Sequence, residues 1–266
     1  MFDSIAGDYD ALNHILSLDV DKIWRRKALK QIVDAPAPAR VLDLACGTGD
    51  FSIAIAKALS RSHKRVGTPI EAHVKAPAKA PVEAQVTSTG FVTGDSGRSD
   101  LMTKGHVTGV DLSEGMLAVM REKVQKAGLT EMISIEEGDG ENLRFPDNTF
   151  DRVTIAFGIR NFEDRPKGLR EMLRVLKPGG RLVILELSRP ENKIIRWFYD
   201  LYFLHILPKI GGKVSGDKAA YAYLPASVAA FPGKKAFMAT MREAGFRTVT
   251  HKAFTLGICR MYTGEK

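Results

Sequence analysis

The stretch "VLDLACGTGD", residues 41–50, packs an acid and a glycine turn into ten positions. Asp43 closes a short apolar run, and Gly47, Thr48 and Gly49 follow it. Glycines let the backbone turn sharply and approach a ligand closely. The helix expected next offers free N–H groups to an anion. The pattern is not G-x-G-x-x-G, since no third glycine seats a pyrophosphate-binding helix, and it is not the G-x-x-x-x-G-K-[ST] of a P-loop. Two more acids end later apolar runs. Asp111 closes "GHVTGVD", where a carboxylate can accept both hydroxyls of a ribose. Asp139, followed by Gly140 in "GDGENLRF", stands where an adenine edge would lie. Each acid alone would read as a turn or cap residue. Three of them in order around one glycine turn describe a nucleoside site. Polar groups for a second ligand lie further on: Arg160 and Asn161 in "AFGIRNF", and Tyr221 and Tyr223 in "SGDKAAYAYLPASVAAFPG". His14, in "YDALNHILSL", has a side chain whose ordinary pKa suits a base.

These residues need elements to hold them. The first 38 residues read as a helical extension, with Ile23, Leu29, Ile32 and Val33 at helical spacing before the break "DAPAPA". "RVLDLA", the glycine turn and "FSIAIAKAL" give strand, turn and helix, the opening of a doubly wound α/β domain. Residues 60–105 interrupt the rhythm with Pro69, Pro77, Pro81 and many small or charged residues. They read as a partly flexible insertion, with a β-hairpin suggested in "AHVKAP…VEAQVTS". Two echoes compete for the second strand, "GFVTGD" at 90–95 and "GHVTGVD" at 105–111. The second is chosen. A helix follows it, with Ser113 as N-cap and Met116, Val119, Met120 and Val124 on one face. The alternation continues through "ISIEEGD", "FDRVTIAFG", the helix "DRPKGLREMLRVLKPGG" capped by Asp164, and the strand "RLVILEL". An aromatic helix "NKIIRWFYDLYFLHIL", a last helix and a closing hairpin complete one domain over residues 1–266.

Four stretches are specific enough to carry a resemblance: the N-terminal "MFDSIAGDYDALNHILSLDVDKIWRRKAL", "VLDLACGTGDFS", "AFGIRNFEDRPKGLREMLRVLKPGGRLVILE", and the tyrosine segment above. Together they closely resemble the ubiquinone/menaquinone biosynthesis C-methyltransferase family, over nearly the whole chain except residues 60–105. The resemblance implies a class I methyltransferase fold: a Rossmann-like, doubly wound, mostly parallel sheet with a C-terminal antiparallel hairpin. It implies S-adenosyl-L-methionine as cofactor and a polyprenylated quinol, demethylmenaquinol foremost, as substrate. By that resemblance Asp43, Gly47, Thr48, Gly49, Asp111, Asp139, Gly140 and the backbone of Ala156 contact the cofactor. Position 140 is often alanine in the family, and position 156 often serine, so a hydroxyl contact is missing here.

A quinol carbon becomes a good nucleophile once a ring hydroxyl loses its proton. Arg160 is too basic to take that proton but can steady the phenolate, and Asn161 can hold a second hydroxyl. His14 and Tyr221 are further catalytic candidates. Residues 189–232 read as a substrate cap, with Tyr221 and Tyr223 as walls over a flat ring. Trp197 and Phe198, in the apolar run 197–207, line a route for the isoprenoid tail. Two other readings stay open: a methyltransferase for another small acceptor, and a non-catalytic scaffold of the same fold.

Composition bounds the setting. Two cysteines make no disulfide framework, so the chain reads as intracellular and reduced, hence cytoplasmic. The acidic start "MFDSIAGDYD" lacks the apolar core of a signal peptide. The formal charge is +8. No helix-turn-helix, RNP-like or zinc pattern points to nucleic acid or to a metal. Residues 189–218 hold six Lys/Arg against three Asp/Glu. That excess suggests peripheral contact with an anionic membrane face. Self-association is left open.

Overall fold

The computed structural model describes residues 20–35, 39–66, 105–202 and 218–266. His14, the 90–95 echo and the suggested hairpin of the insertion lie outside the described residues.

The glycine turn sits where expected, between β1 (Arg40–Leu44) and α2 (Asp50–Val66). Ahead of it, α1 (Val20–Ile32) is the described part of the N-terminal extension. Residues 60–66, read as the start of the insertion, continue α2. The second echo is β2 (His106–Asp111), followed by α3 (Glu114–Lys126). Ser113 caps α3 as its spacing predicts, its hydroxyl accepting from the Met116 N–H. Then come β3 (Ile133–Glu137), β4 (Phe150–Ala156), a 3₁₀ turn (Ile159–Asn161) and α4 (Arg165–Val175). Asp164 caps α4, accepting from the Lys167 N–H, with Pro166 in the first turn. α4 stops at Val175, and "LKPGG" opens the long strand β5 (Leu176–Leu187) instead of ending a helix. Next are α5 (Lys193–Leu201), α6 (Lys218–Ala230) and α7 (Lys234–Glu243). The hairpin is β6 (Arg247–Phe254) and β7 (Cys259–Glu265), joined through a 3₁₀ turn at Thr255–Gly257.

The seven strands lie in the order β3-β2-β1-β4-β5-β7-β6. β1, β2, β3, β4 and β5 pair in parallel, and β7 runs antiparallel between β5 and β6. Helices cover both faces. Val41, Val107, Val183 and Leu185 point to one face, under Trp24 and Ile32 of α1, Phe51 and Ile55 of α2, and Met120 of α3. Leu42, Leu44, Ile155 and Ile184 point to the other, under Leu169 and Met172 of α4 and Phe237 and Met241 of α7. That split is the period of two along each strand. A small third cluster of Tyr199, Val228, Leu187 and Leu224 ties α5 and α6 to the end of β5.

The strand order reverses between β1 and β4. The connections leaving their C-terminal ends lead to opposite sides of the sheet order, which makes this the switch point where doubly wound sheets bind ligands in a crevice.

Candidate active site

The crevice holds a cavity of about 490 Å³. Its walls come from α1 (Trp24, Arg25), the glycine turn (Cys46, Gly47, Thr48), the end of β4 (Ala156, Phe157), Arg160, α5 (Ile195, Tyr199) and the Thr255–Leu256 turn. Trp24 Nε1 donates to Thr255 Oγ1 at 2.9 Å, joining the first described helix to the last hairpin across the wall.

The backbone is strained where the cavity is built. Ala45 (φ 48°), Phe157 (φ 64°), Thr255 (φ 44°) and Leu256 (φ 57°) hold left-handed conformations, and all four line it. Such positions cost about 1–3 kcal/mol each for a non-glycine residue and cluster at ligand sites. Gly47 (φ 56°) and Gly49 (φ 82°) take the same region freely. At Gly49 a Cβ would also stand 2.4 Å from Met120 Cγ.

Two acids flank the glycine turn. Asp43 is buried, and its carboxylate accepts from Ser52 Oγ at 2.6 Å. Burial pushes its pKa up to about 7; the Ser52 bond and the Arg25 charge pull the other way, and Asp111 adds to the rise. Asp111 ties the end of β2 to the turn: Gly47 N donates to one carboxylate oxygen at 2.8 Å, Ser113 N to the other at 2.9 Å. From α3, Lys123 Nζ reaches Thr48 Oγ1 at 3.3 Å and pairs with Asp50. Asp139 and Gly140 stand beyond β3, outside the enclosed cavity, where Glu141 N donates to Asp139 Oδ1 at 2.8 Å. At Gly140 a Cβ would lie 2.6 Å from Phe162 Cζ.

Arg160 lines the cavity and is buried. Its Nη1 donates to Glu186 Oε1 at 2.7 Å and also to the Phe157 carbonyl. Its backbone N–H meets Glu186 Oε2 at 3.1 Å. The fully buried Glu186 thus orients both the side chain and the turn. Burial pushes the Tyr199 phenol well above its ordinary range, against the pull of Arg160.

Helix α6 meets this turn. Tyr223, on α6, donates to Asn161 Oδ1 at 2.9 Å, and Leu224 beside it lines the cavity. Tyr221 lies on α6 too; its side chain is outside the described residues. Phe198 lines the cavity mouth, whereas Trp197 lies outside the lining and is 61% exposed. Trp24, Phe157, Glu186 and Leu256 were not picked out from sequence, and Tyr199 only as part of the run 197–207. Glu186 carried a signal, an acid closing the apolar run "RLVILEL", the same cue that marks Asp43 and Asp111.

The arrangement fits S-adenosyl-L-methionine. A mainly apolar crevice contains a desolvated carboxyl whose ionisation is under-compensated, which suits a ligand carrying positive charge. The glycine turn leaves room for a close backbone approach beside it. Sheet order, glycine turn and strand-end acids together define a class I S-adenosylmethionine-dependent methyltransferase. The chain belongs to the ubiE/COQ5 methyltransferase family, whose profile matches residues 1–266.

Among its relatives is the ubiquinone/menaquinone biosynthesis C-methyltransferase UbiE of Geobacter sulfurreducens, 44% identical over 100% of this chain and 87% of that one. The demethylmenaquinone methyltransferase of Bacteroides fragilis is 40% identical over 100% of this chain and 91% of its own. In fold, the chain is similar to a SAM-dependent methyltransferase of Aquifex aeolicus, with TM-score 0.53 and 19% identity over 90% of this chain and 88% of that one. It is also similar to the [4+2]-cyclase SpnF, with TM-score 0.58 and 16% identity over 91% and 81%. A cyclase on this fold is a reminder that the fold alone does not select the reaction.

Proposed function

We infer that the protein methylates a ring carbon of a polyprenylated quinol, with demethylmenaquinol as the preferred acceptor. The observation that carries this is one cavity walled on one side by the glycine turn and Asp43, and on the other by Arg160 and aromatic side chains. The names of the relatives support the acceptor class. S-adenosyl-L-methionine supplies an electrophilic methyl group on a sulfonium.

Gly47, Thr48, Gly49 and Asp43 would hold its amino-acid end and Asp111 its ribose. Asp139, Gly140 and the Ala156 backbone would flank the remainder. Arg160 steadies negative charge on the quinol oxygen, in a position fixed by Glu186. A guanidinium pre-oriented in an apolar cavity acts more strongly than one in water. Asn161, with its amide oxygen engaged by Tyr223, presents its amide N–H groups to the second ring oxygen. Tyr221 and His14 remain candidates for taking the proton. Tyr199, Trp24 and Phe157 keep the ring dry. Peripheral contact with a membrane follows from the acceptor, whose tail belongs in hydrocarbon. Among the described residues no helix is long and apolar enough to cross a membrane.

Incubation with the cofactor and short-tailed analogues of demethylmenaquinol and of the benzoquinol tests the reading. A product heavier by one methylene unit, with the methyl on ring carbon, is expected from the naphthoquinol first. Oxygen methylation, or turnover of neither quinol, would overturn it.

A further inference from the structure

Helix α5 is apolar on two faces. Ile195, Tyr199 and Tyr202 turn inward to the cavity. Ile194, Trp197, Phe198 and Leu201 follow the i, i+3, i+4, i+7 spacing of a single helical stripe. That stripe is left to solvent, at 70%, 61%, 61% and 39% exposure. Leu256, held left-handed at the hairpin turn, adds another apolar side chain at 72%. Phe198 and Leu256 belong to the cavity lining as well, so the apolar exterior runs into the apolar interior at the mouth. A patch of this kind marks an interaction surface.

Charge around the patch selects the partner. Exposed Lys193 opens α5, while the helix's acid, Asp200, is tied to Arg189 at 2.5 Å. On the other side of the mouth, α1 exposes Arg26, Lys27 and Lys30. It is joined to the Leu256 turn by the Trp24–Thr255 bond and by Lys27 Nζ over the Phe254 ring at 4.9 Å. Basic side chains bordering an apolar stripe fit anionic headgroups above hydrocarbon.

We propose that the α5 stripe and Leu256 seat the cavity mouth on an anionic lipid bilayer, so that a tailed acceptor enters from the hydrocarbon side. The purpose rests on the quinol reading; the docking itself is tested without any acceptor. Trp197 is one of two tryptophans, and the other, Trp24, is buried. Vesicles of equimolar phosphatidylcholine and phosphatidylglycerol should therefore shift the emission to the blue and carry the protein down on sedimentation. Pure phosphatidylcholine vesicles should do so less. Trp197→Phe should sediment but lose the shift. The double variant Ile194→Ser/Leu201→Ser should lose more than about tenfold in partitioning, since two apolar side chains no longer leave water. Its turnover of a short-tailed quinol without vesicles should be unchanged. Leu256→Gly, suited to a left-handed backbone, is a second binding variant expected to fold.

Unaltered sedimentation of both variants, or no shift at Trp197, would overturn the proposal. So would concentration-dependent self-association that buries Trp197 without lipid, which would assign the stripe to a second copy of the chain. A protein that binds vesicles through the stripe yet methylates no quinol would retain the docking and remove the substrate reading.

Discussion

At the residue scale, Arg160 carries two duties that mutation can separate. Its side chain faces the cavity and is also half of a buried ion pair with Glu186. The 3₁₀ turn delivers Arg160 to Glu186 near the end of β5. Arg160→Lys keeps the charge but loses the planar fork. Single-turnover methyl transfer should fall by about 10²–10³. Glu186→Gln leaves the guanidinium in place but uncompensated. It should cost about 3–5 kcal/mol of stability, as removing one partner of a buried pair does, while turnover per folded molecule changes by less than about tenfold. The reverse pattern in thermal unfolding and rate would take Arg160 out of the chemistry. Asp43 makes a pH prediction. Its unfolded carboxyl titrates near 3.9 and its folded one at about 7. Between those values the folded chain holds the extra proton, so stability of the ligand-free protein falls as pH rises and levels off above about 7. Asp43→Asn removes that cost. It should unfold at higher temperature than wild type at about pH 8, by at most a few kcal/mol, and match it near pH 4. Equal melting at both values would mean the carboxyl is not desolvated. Asp43 and Asp111 were legible because each closes an apolar run next to glycines. Phe157 was not, because nothing in its type announces a left-handed phenylalanine.

At the element scale, the helices were legible wherever a cap and a period agreed, as for Ser113 in α3 and Asp164 in α4. The end of α4 was misread because "KPGG" looks like a helix stop, yet it lies within β5, in the irregularity between the Phe150↔Leu176 and Arg152↔Arg181 pairs. The tyrosine segment is rich in small side chains and carries Pro225. It is helical as α6, and its place comes from contacts with α5 and the Arg160 turn rather than from its own periodicity. Packing between elements also sets a contest that propensity alone would lose. Gly168 lies within α4, where alanine normally gains about 1 kcal/mol. A Cβ there would fall 2.5 Å from Phe162 Cδ2 and Cε2, and Gly140 sits close against the ring tip. Overpacking of this sort costs about 1–3 kcal/mol. Gly168→Ala is therefore expected to lower the urea midpoint, and Phe162→Leu to restore much of the loss in the double variant. A raised midpoint in the single variant would show that the half-buried ring swings aside, leaving propensity to decide.

At the scale of the whole molecule, the question is what the long stretch between α2 and β2 contributes. The strand sequence was legible through the interruption because β1, β2 and β4 carry their own apolar signatures. The final order, with β7 between β5 and β6, was not legible, since two adjacent C-terminal strands do not say which of them meets β5. β1 pairs directly with β2, from Arg40↔His106 to Leu44↔Val110. His106 N donates to Ala39 O at 2.8 Å, and Gly105 allows that approach, since a Cβ would lie 2.9 Å from the same oxygen. A crossover helix between parallel strands carries the chain back to the edge where the next strand begins. A short Gly/Ser bridge from α2 to Lys104 therefore has little distance to span. Loop entropy changes slowly with length, by about 0.6 kcal/mol per doubling. Replacing residues 67–103 by such a bridge should leave unfolding cooperative, with stability equal or higher by about 1–2 kcal/mol. Cofactor affinity should hold as well, because the Asp111–Gly47 bond is set by the β1–β2 register. Differential scanning calorimetry and cofactor titration on one preparation measure both. A broad, non-cooperative transition would place the stretch in the core; a cooperative one with lost affinity would make it part of the cofactor's enclosure.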